Sequence, residues 1–451
     1  MPAKKASAAP KKTPAKKSKK APPKKKTPVK RGPGSPKPKP PTATPPPSLP
    51  PGRIYAEPTF VPLLPGQLTT GEVNQYDAYA SILQPIPPPR KGANMVMQLT
   101  DVLGQAAVDA ITQSGKIVFH SVGDTGADKQ NRVADEADVA GMMAKDLAIT
   151  IPAEKPAFFY HLGDVVYEFG QADSYYGQFY EPFCLYNAPI FAIPGNHDGM
   201  IWAPSMQTLQ AFQANFCTPA PVHATNAGSL MRTTMDQPGV YFTLEAPFVT
   251  IIGLYSNVVD KGPGIISSEN NPKYKSIVSD DQKNWLISEL KRLAPIRKQN
   301  KTAVVLAVHH PPFTGSGTQN TLGADLDDAF TKGGLWPDLI LSGHAHLYER
   351  FERDVNGIKL PYIIAGCGGY NLSPYAKASD PTVKVPPSMA NDPSLQAYMK
   401  TFGYMKIKAT ATQLAVVFNS IDVSYGIAAD SIVIDLQTHA VTEGKRGREP
   451  L

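Results

Sequence analysis

The chain has 451 residues, 42% of them hydrophobic, with 46 prolines, three cysteines and a formal charge of +7. Three cysteines without a CxxC pair exclude a disulfide framework, and no apolar run approaches the roughly 18–20 residues that span a bilayer. The positive balance is local: from Met1 to Pro40 there are fourteen lysines, Arg31 and no acidic residue, so that stretch carries +15 and residues 41–451 carry −8. The basic character therefore belongs to a tail and not to a fold.

Residues 1–52 are blocks of Lys, Pro and Ala, such as Pro23-Lys24-Lys25-Lys26, which bury nothing and repel one another. The segment is predicted to be disordered. Three readings stay open for it: a solvated spacer, a nonspecific contact with nucleic acid or polyphosphate, or a localisation signal. No apolar segment follows the charge, so no secretory signal is read and an intracellular, cytoplasmic location is expected. Residues 53–112 read as an N-terminal extension, with helical apolar spacing from Met95 to Ile111.

From Gly115 the pattern changes. Ile117–Val122 is a short apolar run ending in Gly123-Asp124, and Ala157–Leu162 ends in Gly163-Asp164. Pro189–Ile193 ends in Pro194-Gly195-Asn196-His197, Ala303–Val308 in His309-His310, and Asp338–Ser342 in Gly343-His344. Continuous apolar strands of this kind belong in a sheet covered on both faces. Ligands in α/β sheets sit just beyond the strand ends. Helical patterns lie between, at Val133–Leu147 and at Asp281–Leu293, where Pro295 is read as the stop. Alternation in Tyr404–Lys408 and Leu414–Phe418 predicts closing strands. The expected fold class is α/β, a layered β-sheet core flanked by helices. Its domain is placed at 113–440, with a C-terminal tail at 441–451.

The residues at the strand ends are Asp124, Asp164, Asn196, His309, His344 and His346, and Tyr167 follows Asp164 by three. Carboxylate, imidazole, amide oxygen and phenolate form a mixed O/N set suited to first-row transition metals. The set offers no thiolate, which argues against a structural zinc site. Seven donors are too many for one ion, but fit two ions that share a carboxylate. With one trivalent and one divalent ion, two aspartates, a tyrosinate and a bridging hydroxide leave about +1, enough to attract a phosphate dianion without trapping it. A metal pair clamps the attacking and leaving oxygens of an in-line displacement, and water bound there becomes a nucleophile near neutral pH.

Gly123-Asp124, Gly163-Asp164-Val165-Val166-Tyr167, Gly195-Asn196-His197-Asp198, His309-His310-Pro311 and Gly343-His344-Ala345-His346 resemble, in order, the five motifs of the calcineurin-like metallophosphoesterases. That likeness implies an αββα sandwich over the globular part of the chain. Two details resemble the purple acid phosphatases. Asp124 is followed by Thr125-Gly126 where other branches place a histidine, and Tyr167 stands in the second motif. The runs His344–Arg350 and Gln282–Leu286 are also similar to the plant-type members. The resemblance implies Fe(III) held by Asp124, Tyr167 and His346, and a divalent ion (Fe, Zn or Mn) held by Asn196, His309 and His344. Asp164 would bridge the two. It further implies that His197 binds phosphate and protonates the leaving oxygen, with Asp198 orienting it. His310, beside His309, is a second candidate phosphate contact.

The expected activity is hydrolysis of phosphate monoesters. The alternatives are a phosphodiesterase acting on nucleotides or nucleic acid, and a basic-tailed polyanion-binding protein with secondary hydrolase activity. His120 and His161, inside strands, are read as satisfied core histidines. His223 and His439 are read as surface or loop residues, Glu349-Arg350 as a local ion pair, and Cys367 as a packed small residue.

Overall fold

The computed structural model describes residues 82–90, 92–127, 130–201, 203, 205–256, 264–300, 302–315, 322–373, 394–426 and 428–444. The Lys/Pro/Ala segment 1–52 lies outside the described residues, as do 53–81 and 445–451.

In chain order the first elements are β1 (Val96–Gln98), α1 (Leu99–Leu103), α2 (Gln105–Gln113), β2 (Lys116–Val122), α3 (Gln130–Asp146), β3 (Phe159–His161) and β4 (Ile190–Ala192). Next come α4 (Asn196–Gly199), α5 (Gln210–Phe216), β5 (Phe242–Ala246), β6 (Val249–Leu254), α6 (Asp281–Asn300), β7 (Ala303–Val308), α7 (Leu322–Gly333) and β8 (Leu339–Ser342). The chain closes with β9 (Tyr348–Val355), β10 (Ile358–Ala365), β11 (Ser394–Met399), β12 (Gly403–Thr410), β13 (Gln413–Ser420), β14 (Asp430–Asp435) and β15 (Val441–Glu443). Among the described residues the strands form an eight-stranded sheet, β1-β5-β6-β7-β8-β10-β9-β11, and a seven-stranded sheet, β15-β14-β13-β12-β2-β3-β4.

The strand β7 shows why a continuous apolar run marks a strand here. Side chains alternate across a strand. Ala303, Val305 and Ala307 join a core that also takes in Phe119, Tyr160 and Ile407 of the other sheet. Val304, Leu306 and Val308 join a second core, with Leu286, Leu290 and Leu293 of α6 and Leu326 and Phe330 of α7. Both faces are thus buried, so both must be apolar. The two sheets meet closely enough that a Cβ on Gly253 of β6 would fall 2.3 Å from the Tyr160 hydroxyl of β3. On the far side α3 lies against the second sheet, joined to it where His120 Nε2 meets Asp146 Oδ2 at 3.1 Å. Helix, sheet, sheet, helix is the layering, as the fold class anticipated.

Three elements depart from the sequence reading. The helix expected over Met95–Ile111 is a strand and two helices, because Gly104, with φ of 79°, breaks the run. The domain boundaries at 113 and 440 exclude strands that belong to the sheets: β1 pairs with β5, and β15 with β14. Each spans three residues, too few to show a period. Pro295 does not stop α6, which runs on to Asn300. Ile296 packs on the second core, and Arg297 is held by Asp338 at 2.7 Å and the Leu436 carbonyl at 2.6 Å. These contacts offset the missing proline N–H.

Candidate metal centre

The first three strands bearing the motifs, β2, β3 and β4, lie side by side and parallel in one sheet, and β7 and β8 lie parallel in the other. Their C-terminal ends therefore open at one place between the sheets. Asp124, Asp164 and His344 all leave their strands with positive φ, at 58°, 53° and 66°. L-residues rarely adopt this conformation, and it recurs at functional sites. Gly195 makes the crowding possible, since a Cβ there would fall 2.1 Å from Asp164 Oδ1.

All seven candidate donors come together. The Tyr167 hydroxyl lies 3.0 Å from Asp124 Oδ1, 3.0 Å from Asp164 Oδ2 and 3.4 Å from His346 Nε2. His346 Nε2 is 3.4 Å from Asp124 Oδ1. On the other side of Asp164, its Oδ2 lies 3.2 Å from His309 Nε2. Asn196 Oδ1 lies 3.2 Å from His309 Nε2 and 3.0 Å from His344 Nδ1. Donor atoms of Asp164, His309 and His344 fall within 4.8 Å of one another. The arrangement divides into two halves about Asp164.

The outer contacts orient these groups. His309 Nδ1 meets the Leu162 carbonyl at 2.8 Å, which turns Nε2 toward the centre. His346 Nδ1 is bonded to Asn371 Oδ1. Gln178, in a single π-helical turn over Tyr176–Tyr180, accepts from the Tyr167 backbone N–H and donates to its carbonyl, both at 2.7 Å. His197 donates its backbone N–H to Asp164 Oδ1 at 2.9 Å, and its Nδ1 lies 2.7 Å from the Glu168 carbonyl oxygen. Asp198 is engaged elsewhere than on His197. Its carboxylate accepts from the backbone N–H groups of Gly195 at 2.8 Å, Val165 at 3.1 Å and Val166 at 3.3 Å, tying the second and third motif loops together. His310 is buried, with Nδ1 3.0 Å from Ser256 Oγ.

Burial opposes the Asp164 charge, but the His309, His197 and His344 imidazoles outweigh it and hold the carboxyl well below the usual range. Burial likewise disfavours the His309 imidazolium, yet Asp164 and Asp124 push it up to about 9. Burial, then the Asp124 and Asp164 charges, push the Tyr167 phenol well up. Burial and the Asp164 charge push Asp198 up to about 7.

A metal pair fits this donor set. Asp124 and Asp164 are at most 1% exposed. Among the described residues their ion-pair partners are His346 and His309, with no lysine or arginine. Beyond those imidazoles, the Tyr167 hydroxyl and the backbone N–H groups of His344 and His197 are the donors the two carboxylates meet, and carboxylates so deeply buried call for cationic compensation. Oxygen and imidazole donors of this kind are suited to first-row transition metals.

The remaining singled-out residues are structural. His120 lies 3.1 Å from both the Tyr186 hydroxyl and Asp146 Oδ2. His161 lies 2.9 Å from Thr125 Oγ1 and accepts from the Gly163 N–H at 3.1 Å. His223 Nε2 meets the Leu230 carbonyl, and His439 lies 3.4 Å from Asp338. Glu349 and Arg350 do not pair with each other. Glu349 accepts from Thr314 Oγ1 and the Gly315 N–H, whereas Arg350 binds Asp430, Glu352 and Glu443. Cys367 is buried, and all three cysteines are free thiols.

Fold and site together define a metallophosphoesterase. Residues 120–348 match the family model for calcineurin-like phosphoesterases, just over half of the chain. The protein belongs to the calcineurin-like phosphoesterase family, whose members are typically metal-dependent phosphoester hydrolases with two metal ions. It is similar to purple acid phosphatase 15 of Arabidopsis thaliana, 23% identical over 232 residues that cover 50% of this chain and 37% of that protein. The chain thus spans just over a third of the length of that curated relative. Among solved structures, purple acid phosphatase PPD1 from yellow lupin (Lupinus luteus) seeds is 15% identical with a TM-score of 0.47, covering 71% of this chain and 54% of that one. GAP50, the anchor in the inner membrane complex of Plasmodium, is 13% identical with a TM-score of 0.47, covering 74% and 91%. Among the described residues, no helix is long and apolar enough to cross a membrane.

Proposed function

We propose that the protein hydrolyses phosphate monoesters at a metal pair of purple-acid-phosphatase type. In this reading Asp124, Tyr167 and His346 hold a ferric ion, Asn196, His309 and His344 hold a divalent iron, zinc or manganese ion, and Asp164 serves both. The observation that carries it is the Tyr167 hydroxyl, 3.0 Å from each of two buried carboxylates. A phenol so placed is suited to a metal-bound phenolate.

When bound, the pair supplies Lewis acidity and acidifies water. The chain's own residues do the rest. Water attacks phosphorus in line and the ester P–O bond breaks. The leaving oxygen takes its proton from His197. Nδ1 of that ring donates to the Glu168 carbonyl, so proton delivery falls to Nε2. His310, buried beside His309 with Nδ1 on Ser256 Oγ, is the second candidate contact for phosphate oxygen, and burial pushes its pKa well below its ordinary range. Asp198 acts on backbone, holding the loops that present Asp164 and Asn196.

The discriminating experiment compares rates on a monoester and a diester with a common leaving group, with metal analysis of the same sample. Monoester preference, iron and a second metal are expected. Faster diester hydrolysis would move the protein to the phosphodiesterases acting on nucleotides or nucleic acid.

The lysine segment adds a separable polyanion contact, supported by its charge alone. Deleting residues 1–52 leaves small-ester hydrolysis unchanged and weakens salt-sensitive binding to DNA or polyphosphate. Equal binding by both forms would make the segment a spacer.

A further inference from the structure

Tyr370 touches both halves of the proposed chemistry. Its ring lies on that of Tyr167, with centroids 3.6 Å apart and planes 7° from parallel. Its hydroxyl donates to Glu168 Oε1 at 2.6 Å. Glu168 is also the residue that holds His197: its carbonyl oxygen is 2.7 Å from His197 Nδ1, and its Oε2 is 4.0 Å from the same atom. The His197 and Tyr167 rings lie 4.4 Å apart. Tyr167, Tyr370, Glu168 and His197 therefore close a ring of contacts at the edge of the metal centre.

The stack is closer and flatter than aromatic pairs choose by themselves. Free pairs favour offset or edge-on contact at about 4.5–7 Å. Here both partners are fixed from outside, Tyr167 by Gln178 at its backbone and Tyr370 by the Glu168 carboxylate at its hydroxyl. Tyr370 is only 9% exposed, so its bond to an anionic acceptor is made largely out of water, where such bonds are stronger.

We propose that Tyr370 is a positioning residue that sets Tyr167 and His197 relative to one another, by its ring on the first and through Glu168 on the second. This rests on the reading of Tyr167 as a metal-bound phenolate and His197 as the acid. The geometry separates two actions within one side chain. Tyr370→Phe keeps the stack and removes the bond to Glu168, and Tyr370→Leu removes both.

The experiment uses the full chain loaded with ferric iron and a divalent metal. It reads metal content, the phenolate-to-iron charge-transfer band, and turnover on esters with good and poor leaving groups. Tyr370→Phe should keep both metals and the band, and lose roughly 10- to 100-fold in turnover on poor leaving groups, the size of one hydrogen bond to a charged group. The loss should be smaller on good ones. Glu168→Gln, which keeps the carbonyl, should show the same leaving-group dependence. Tyr370→Leu should keep both metals but shift the band. A wild-type band with no shift in Tyr370→Leu and no leaving-group dependence in Tyr370→Phe would overturn the proposal alone. A metal-loaded wild type without any phenolate band would overturn the parent reading and this proposal with it.

Discussion

The His344 backbone N–H donates to Asp124 Oδ2 at 2.8 Å, across 220 residues of sequence. Asp124 follows β2 of one sheet, and His344 follows β8 of the other. A Cβ on Gly343 would fall 2.5 Å from the same carboxylate oxygen, so the glycine is what lets the fifth motif close on the first. The two sheets are thus joined at the site, and a donor set spread along the chain becomes one cluster, buried at Asp124, Asp164, Tyr167, Asn196 and His309 and half-buried at His344 and His346.

Tyr167→Phe removes the oxygen that contacts both carboxylates. The oxidised, iron-loaded wild type should be coloured by charge transfer, and this variant should be bleached. A colourless, active, iron-free wild type would place Tyr167 as a packing residue instead.

His197→Ala leaves the seven candidate donors in place. It should retain metals and lower turnover by roughly 10²–10⁴-fold on esters whose leaving group needs a proton. Equal losses on good and poor leaving groups would show that His197 only positions phosphate.

Glu349 gives a pH-dependent stability that is independent of turnover. It is fully buried on β9, and burial pushes its carboxyl up to about 7 from 4.5, against the Thr314 and Gly315 hydrogen bonds that pull it down. The folded protein therefore keeps a proton that the unfolded chain releases. The contribution is whole below about pH 4.5 and is lost as pH rises through about 7. Glu349→Gln should flatten this slope, by up to about 3 kcal/mol between pH 5 and pH 8.5 in denaturant unfolding. Identical slopes for the two proteins would mean that the carboxylate is stabilised in place.

The sequence made the strand-end residues legible because each combined two signals, an apolar run and a metal-capable side chain directly after it. Glu168, Gln178, Tyr370 and Asn371 have polar side chains of the same kinds, but none directly follows an apolar run. Their roles come from tertiary approach, as when Gln178 reaches the Tyr167 backbone from a π-helical turn. Glu349-Arg350 misled for a different reason. Adjacent strand residues point to opposite faces, so the two charges find separate partners. Asp198 is adjacent to His197 in sequence, but its carboxylate is taken up by backbone N–H groups. Pro295 announced a helix end that Arg297 and Ile296, anchored by tertiary contacts, postponed to Asn300.

Hydrolysis is proposed to depend on metal held around Asp164. The direct measurement is phosphate release from a monoester by the protein as purified, after chelation, and after iron and a divalent ion are restored, beside the same series for Asp164→Ala. Asp164 contacts His309, Tyr167 and the His197 backbone N–H, so its loss should empty or disorder the site while the sheets stay folded. Chelation should abolish release, added metals should restore it, and Asp164→Ala should neither keep both ions nor recover. Full turnover by metal-free protein, or an Asp164→Ala variant that keeps both ions and turns over like the wild type, would contradict that dependence.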